Sequence, residues 1–422
     1  MPVGRAFSRF PLSAMAVAVL AVSLLLAACY PALGEEPVCP TCGNTGKVEC
    51  RIHKDAKVPA FQCSCCYECP KGCWGLGWMP CSNKDCISPH KVELAEQFNR
   101  LLAERKAWVD SRRAAVEAKV FTDNGKTAGM KAWHVETAHF RFASTIKPRK
   151  VRLLSNGAAK TLTFDSHQAM HLYAQRIEEA FAACMKLLDF TGDYKPTVTD
   201  KFLLMVWQSV GEQNAASQAF CHSAQPAGAS VDGLLYSTHD ANDDMYLHHK
   251  LVHAIAHLVC DDYGGIVMSF PPWLREAFAQ WVEYEVCGEL AMVCVGDFDK
   301  NVGCPKRRIK SGMKMQVKGK SKDNPPLSAF IDNRVADMTG WHRIKGICVL
   351  DWMLNGYSKK VVGPLVAQCK KGYPKVAQET LFKAVLDKTP DQVDELWGSW
   401  VLETYPDNEN NSEKLTPLPE GM

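Results

Sequence analysis

The stretch His248–Gly265, "HHKLVHAIAHLVCDDYGG", decides how the chain is read, because His253 and His257 stand four residues apart in an apolar run. On a helix, that spacing puts both imidazoles on one face a single turn apart, where they can chelate one divalent metal. In an apolar helix such a pair also fits two packed, hydrogen-bonded histidines. A metal needs a third ligand. His249 shares the face but lies eight residues from His257, about 12 Å along the axis, too far to join the same ion. Glu276, in the apolar segment "PPWLREAFAQWVEYE", is the better candidate.

These residues resemble the gluzincin branch of the zinc metallopeptidases, in which His-Glu-x-x-His on one helix is completed by a glutamate on the next. Glu276 follows His257 by 19 residues, and "Pro-Pro-Trp-Leu-Arg-Glu-Ala-Phe-Ala" is similar to the Pro-x-Trp-Leu-x-Glu-Gly-x-Ala motif of the peptidase-MA-like group. "AHFRFAST" resembles the strand that leads into that group's domain, and the tryptophan-bearing "PDQVDELWGSWVLETY" resembles its last helix. The resemblance covers about 133–405. It implies an α+β domain, mainly helical around the site, with His253, His257 and Glu276 as zinc ligands. Ala254 falls where the family carries its general base. That glutamate takes a proton from the zinc-bound water and delivers it to the leaving amine; alanine can do neither. Metal binding does not need it, because it is not a ligand. Glu283, Asp261 and Asp262 are the nearest substitutes for a base, and His342, in "GWHRIKG", is a weak candidate for stabilising an oxyanion.

Ten of the 19 cysteines lie between Cys39 and Cys86. "CPTCGNTGKVECRIH" places Cys39-x2-Cys42 before Cys50-x2-His53, two knuckles that can each supply half of a tetrahedral zinc site. The closely following Gly43 and Gly46 resemble the zinc repeats of DnaJ-type chaperones, over about a tenth of the chain. "CSCCYECPKGCWGLGWMPCSNKDC" supplies a second expected set, Cys66, Cys69, Cys81 and Cys86. The segment is too short and glycine-rich for a hydrophobic core, so metal or disulfides must hold it. Zinc fits better, because one set includes a histidine and Cys-x2-Cys loops suit a metal better than two separate bridges. Four protein ligands leave no open position, which makes these sites structural. The scattered cysteines beyond them leave room for disulfides.

At 422 residues and 47% hydrophobic, the chain can bury at least one large core, and a net charge of +3 gives no field favouring nucleic acid. Arg5 and Arg9 precede "AMAVAVLAVSLLLAAC", which has the form of an export signal. Leu26-Ala27-Ala28-Cys29 resembles a bacterial lipobox, which implies cleavage and lipidation of Cys29; secretory cleavage after Ala28 and an uncleaved anchor are the alternatives. The expected order is a signal peptide (1–28), a cysteine-rich zinc module (29–90), a helical connector (91–125), the peptidase-like domain (126–405) and a disordered polar tail (406–422). Asn124-Gly125 marks a turn, and a short helix is expected near Glu212–Phe220. The run Lys306–Lys322 holds eight basic residues and no acid, as a solvated loop or a contact for anionic lipid or wall polymer.

The leading expectation is an exported, cell-envelope lipoprotein whose zinc-peptidase-like domain binds a peptide or protein without cleaving it. Its rivals are an active metallohydrolase with a replacement base, and an assembly protein that works through its cysteine module. Replacing Cys29 with alanine is expected to release the chain from membranes or block its maturation, read by fractionation and by the mass of the N-terminal peptide; unchanged membrane attachment without a lipid mass would contradict the lipobox.

Overall fold

A computed structural model describes residues 38–50, 62–120, 132–197, 200–209, 211–212, 228–230, 233–237, 244–264, 271–293, 296–297, 306–334, 337–369, 378–409 and 411–418. Its strands are β1 (Lys47–Glu49), β2 (Gln62–Cys63), β3 (Trp78–Pro80), β4 (Trp133–Glu136), β5 (Phe140–Ser144), β6 (Arg149–Ser155), β7 (Ala158–Phe164), β8 (Phe202–Trp207), β9 (Gly228–Ser230), β10 (Gly233–Ser237), β11 (Met292–Val293) and β12 (Gly296–Asp297). Its α-helices are α1 (Ser64–Tyr67), α2 (Lys91–Val120), α3 (Ser166–Leu187), α4 (Asp244–Gly264), α5 (Pro272–Cys287), α6 (Ile309–Lys318), α7 (Gly340–Trp352), α8 (Val362–Gln368), α9 (Gln378–Leu386) and α10 (Pro390–Thr404). The protein is thus mixed helix and sheet. Asn124-Gly125 and most of the expected helix near Glu212 lie outside the described residues, as do Cys29 and His53.

The described residues form two compact units, 38–50 with 77–102, and 62–76 with 103 onward. The expected cysteine module is therefore divided between them. In the smaller unit β1 and β3 pair antiparallel, Lys47 opposite Pro80 and Glu49 opposite Trp78. Trp78 meets Phe98 edge to face at 5.6 Å, and Leu94 and Phe98 are buried.

The larger unit carries a six-stranded mixed sheet in the order β2-β4-β5-β8-β10-β9. β5 and β10 flank β8 in parallel, and β8 is buried along almost its whole length, as a central parallel strand requires. β6 and β7 form a separate hairpin. Its two-residue turn, Asn156-Gly157, has positive φ at both positions, the chemistry a tight hairpin turn demands. β6 alternates buried and exposed, with Val151 and Leu153 in the core.

Helices α3, α4 and α5 supply much of that core. A reciprocal cap starts α3: Asp165 accepts from the backbone of Gln168, whose side chain accepts from Asp165. Arg176, fully buried on α3, holds Asp244 at the start of α4 through bonds of 2.9 and 3.1 Å, and Tyr173 donates to the same carboxylate at 2.6 Å. A charge without water is tolerable here because it is paired and its hydrogen bonds are filled. Gly346 lets α7 approach α5, since a Cβ there would stand 3.1 Å from that of Ala277.

Two expectations change. The polar tail is docked up to residue 418: Leu418 donates to the Leu154 carbonyl, Leu154 donates to that of Thr416, and Lys414 donates to that of Cys287. Composition hid this: polar side chains suggest solvent, yet Glu409 and Thr416 are buried and accept hydrogen bonds, Glu409 from the Lys310 and Ser311 backbone and Thr416 from Arg176. The basic run is no free loop either. It contains α6, with Ile309 and Met313 buried, and four of its eight cations are paired: Lys306 and Arg307 with Glu289, Lys310 with Asp351 and Lys314 with Asp407.

Arg176→Ala would leave the buried Asp244 carboxylate without its cation. It is expected to destabilise the larger unit by about 3–5 kcal/mol, measured by denaturant unfolding; a change within experimental error would contradict the role given to this pair.

Candidate metal centres

The first centre lies between α4 and α5. Helix α4 is buried through most of its length, so its histidines cannot face solvent. Helix α5 starts at a proline, which suits the first helical turn, and buries Trp273, Leu274, Ala277 and Phe278. That packing leaves Glu276 aimed at α4. His253 Nε2 and His257 Nε2 are 3.1 Å apart, and Glu276 oxygens lie 3.9 Å from the first and 3.7 Å from the second. Ligands around a tetrahedral zinc are separated by about 3.3 Å, so a small closing movement would seat an ion. The three donors, all buried, lie within 4.8 Å of one another and can hold a metal.

Glu283 fixes the histidines from behind. It is fully buried, and its carboxylate accepts from His253 Nδ1 at 3.1 Å and His249 Nδ1 at 2.8 Å, and from the Ala291 and Met292 backbone N–H groups. Burial alone would raise its pKa, but the histidine hydrogen bonds hold it below the ordinary carboxylate value. With its Nδ1 proton on Glu283, His253 presents the Nε2 lone pair forward, the tautomer a metal requires. Burial and the neighbouring Arg275 charge push His257 well below its usual value, which keeps it neutral and able to ligate.

Ala254, which follows His253 in α4, is buried. None of the substitutes for a base stands free. Glu283 lies behind the imidazoles, Asp261 takes both guanidinium bonds of Arg275 at 2.8 Å, and Asp262 is held by Tyr194 and Thr197. His342 is committed to the cap of α7, its Nδ1 accepting from Thr339, and its ring stacks on Phe330 at 4.8 Å. A helix cap accounts for it without an oxyanion role. A cavity of about 470 Å³ is lined by Asp244, His249, Glu289 and Glu413, among others, and its lining does not include the three ligand candidates.

The second centre is in the smaller unit and joins residues that the spacing did not pair. Cys39 and Cys42 meet Cys81 and Cys86, with sulfur separations of 3.8 Å (Cys39 to Cys81) and 3.5 Å (Cys42 to Cys86). Four thiolates around one zinc stand about 3.8 Å apart, so this set can hold a metal almost as it is. The β1–β3 ribbon makes the pairing, since it brings Gly46 beside Cys81, whose N–H donates to the Gly46 carbonyl at 2.9 Å. Positive φ at Gly43, Asn44 and Gly46 forms the first knuckle. Burial opposes ionisation of Cys39, yet the backbone at Thr41 and Cys42 and the Asn83 amide lower its pKa to about 6.

The expected set Cys66/Cys69/Cys81/Cys86 therefore does not form as drawn, and in Cys39/Cys42/Cys50/His53, whose His53 lies outside the described residues, Cys39 and Cys42 meet Cys81 and Cys86 instead. Cys50 is not in the four-cysteine cluster. Cys66 stands instead beside His167 and His171, two residues the sequence reading missed although they repeat the His-x3-His spacing of α4. Cys184, Cys260, Cys287, Cys348 and Cys369 are buried free thiols, so no disulfide joins them.

The chain matches no family model and no curated protein.

Glu283→Gln keeps every ligand of the first centre but weakens the support behind His253. It is expected to lower metal affinity at that centre about 10–100-fold, read by chelator competition; an affinity equal to that of the native chain would contradict the orienting role.

Proposed function

We propose that the larger unit is a gluzincin-like domain that binds zinc through His253, His257 and Glu276 and, lacking a general base, binds a peptide or protein without hydrolysing it. One observation carries the reading: three donors from two helices converge on one point, with a buried carboxylate behind one of them and alanine at the position next to the first histidine. Two histidines and a glutamate are zinc donors, and three protein ligands leave a fourth position open to water or to a ligand's carbonyl. When bound, zinc supplies a Lewis acid there. The protein's own residues orient His253 and keep His257 neutral, but the candidate substitute bases Asp261, Asp262 and Glu283 are each held by other partners. Loss of positioned acid–base catalysis costs about 10²–10⁴-fold in rate.

The four-cysteine set of the smaller unit is read as a closed, structural zinc site. The export-signal-like N-terminus and the lipobox-like Leu26–Cys29 support a location in the cell envelope on a lipid anchor, where these units would work outside the cytoplasm and meet exported peptides or proteins. No helix among the described residues is long and apolar enough to cross a membrane.

His253→Ala is expected to remove one equivalent of zinc. Ala254→Glu is expected to leave zinc in place and to raise hydrolysis of a peptide library above the native level. In the native chain, zinc-dependent cleavage at ordinary enzyme rates that disappears in His257→Ala would overturn the binding reading.

A further inference from the structure

His167 and His171 stand one turn apart at the start of α3, on the residues that follow its capped N-terminus. Facing them is a Cys-x2-Cys pair carried on a strand-to-helix junction. Cys63 ends β2, which pairs with β4 through Cys63 and Val135, and Cys66 lies on α1 immediately after it. Ser64 locks the junction by accepting from the His134 backbone at 2.9 Å. Cys66 Sγ lies 2.9 Å from His167 Nε2 and 3.6 Å from His171 Nε2, and one ligand atom from each of the four residues falls within 4.8 Å of the others. Cys63 and Cys66 are buried and His167 and His171 are half-buried.

We propose that Cys63, Cys66, His167 and His171 hold a structural zinc ion, independent of the centre on α4 and of the four-cysteine site. Sulfur and nitrogen ligands of one tetrahedral zinc are separated by about 3.5 Å. The Cys66–His171 distance meets that value, and the Cys66–His167 distance meets it after an opening of about 0.6 Å. Charge argues the same way. Two thiolates and two neutral imidazoles cancel the charge of Zn²⁺ exactly where burial would penalise any excess. Four protein ligands close the coordination sphere, so the ion has no position for substrate and its work is mechanical.

The cross-link is a long one. Cys66 and His167 are 101 residues apart, and the ion ties the outer strand of the sheet to the first turn of α3. Among the described residues β2 contributes two to the sheet, a short stretch of backbone pairing for a strand at its edge. Tyr67 against Trp108 and Glu68 against Arg113 add contacts at the end of α1, but they do not reach β2. Zinc adds to the Ser64–His134 bond a constraint that reaches α3, and its binding energy becomes folding energy for residues 62–69.

The test uses the full chain purified without reductant or chelator. In the native protein, Cys63 and Cys66 are expected to resist alkylation, and a strong chelator is expected to expose both at least tenfold faster while hydrogen exchange rises across residues 62–69. His171→Ala is expected to lose one equivalent of zinc that His253→Ala retains, and His171→Cys, which restores a donor, to keep it. A failure here leaves the α4 centre standing, because the two variants count different ions. Recovery of Cys63 and Cys66 as a disulfide from the native protein, alkylation rates indifferent to chelation, or an unchanged zinc content in His171→Ala would each overturn the site.

Discussion

Glu283 is a carboxylate with no access to water, and the candidate centre of the larger unit depends on it. Each of its oxygens receives an imidazole from α4, and one also receives two backbone N–H groups that follow α5. An ionised carboxylate is stable in such a place only while those bonds are filled, so α4 and α5 are locked in one register. That register brings Glu276 opposite His253 and His257. The same bonds set the histidine tautomer, so one interaction both organises the core and turns the His253 Nε2 toward His257 and Glu276.

The rest of the larger unit supports this pairing of helices. Arg176 fixes the start of α4 from α3, and Gly346 admits α7 against the back of α5. The docked C-terminal segment closes over the end of α5, where Gly288 adopts a positive φ and a side chain would collide with the Ser412 carbonyl. Few groups near the centre are left to do acid–base chemistry. Asp261, Asp262 and Glu283, the nearest substitutes for a base that the sequence offers, all have structural partners.

Legibility in the sequence followed the range of each interaction. His253 and His257 are four residues apart on a helix, and Glu276 sits in a short recognisable segment, so their convergence could be read from local spacing. The cysteine pairing could not. Cys39 and Cys42 choose Cys81 and Cys86 over nearer Cys50 because the β1–β3 ribbon folds the chain back, and that pairing has no local signal. His167 and His171 had the right spacing but lie about a hundred residues from their cysteines. The tail misled for another reason: its polar side chains read as solvated, yet Glu409 and Thr416 are buried against partners distant in sequence, and backbone bonds tie it to β6.

The most direct test of the central claim is X-ray diffraction from crystals of the full chain, with data collected on either side of the zinc absorption edge. The proposed centre predicts an anomalous peak within bonding distance of His253 Nε2, His257 Nε2 and a Glu276 oxygen, with no carboxylate positioned as a base beside it. Peaks at the cysteine sites with none between α4 and α5, in protein never exposed to chelator, would contradict a metal centre there and leave the histidine pair as packing.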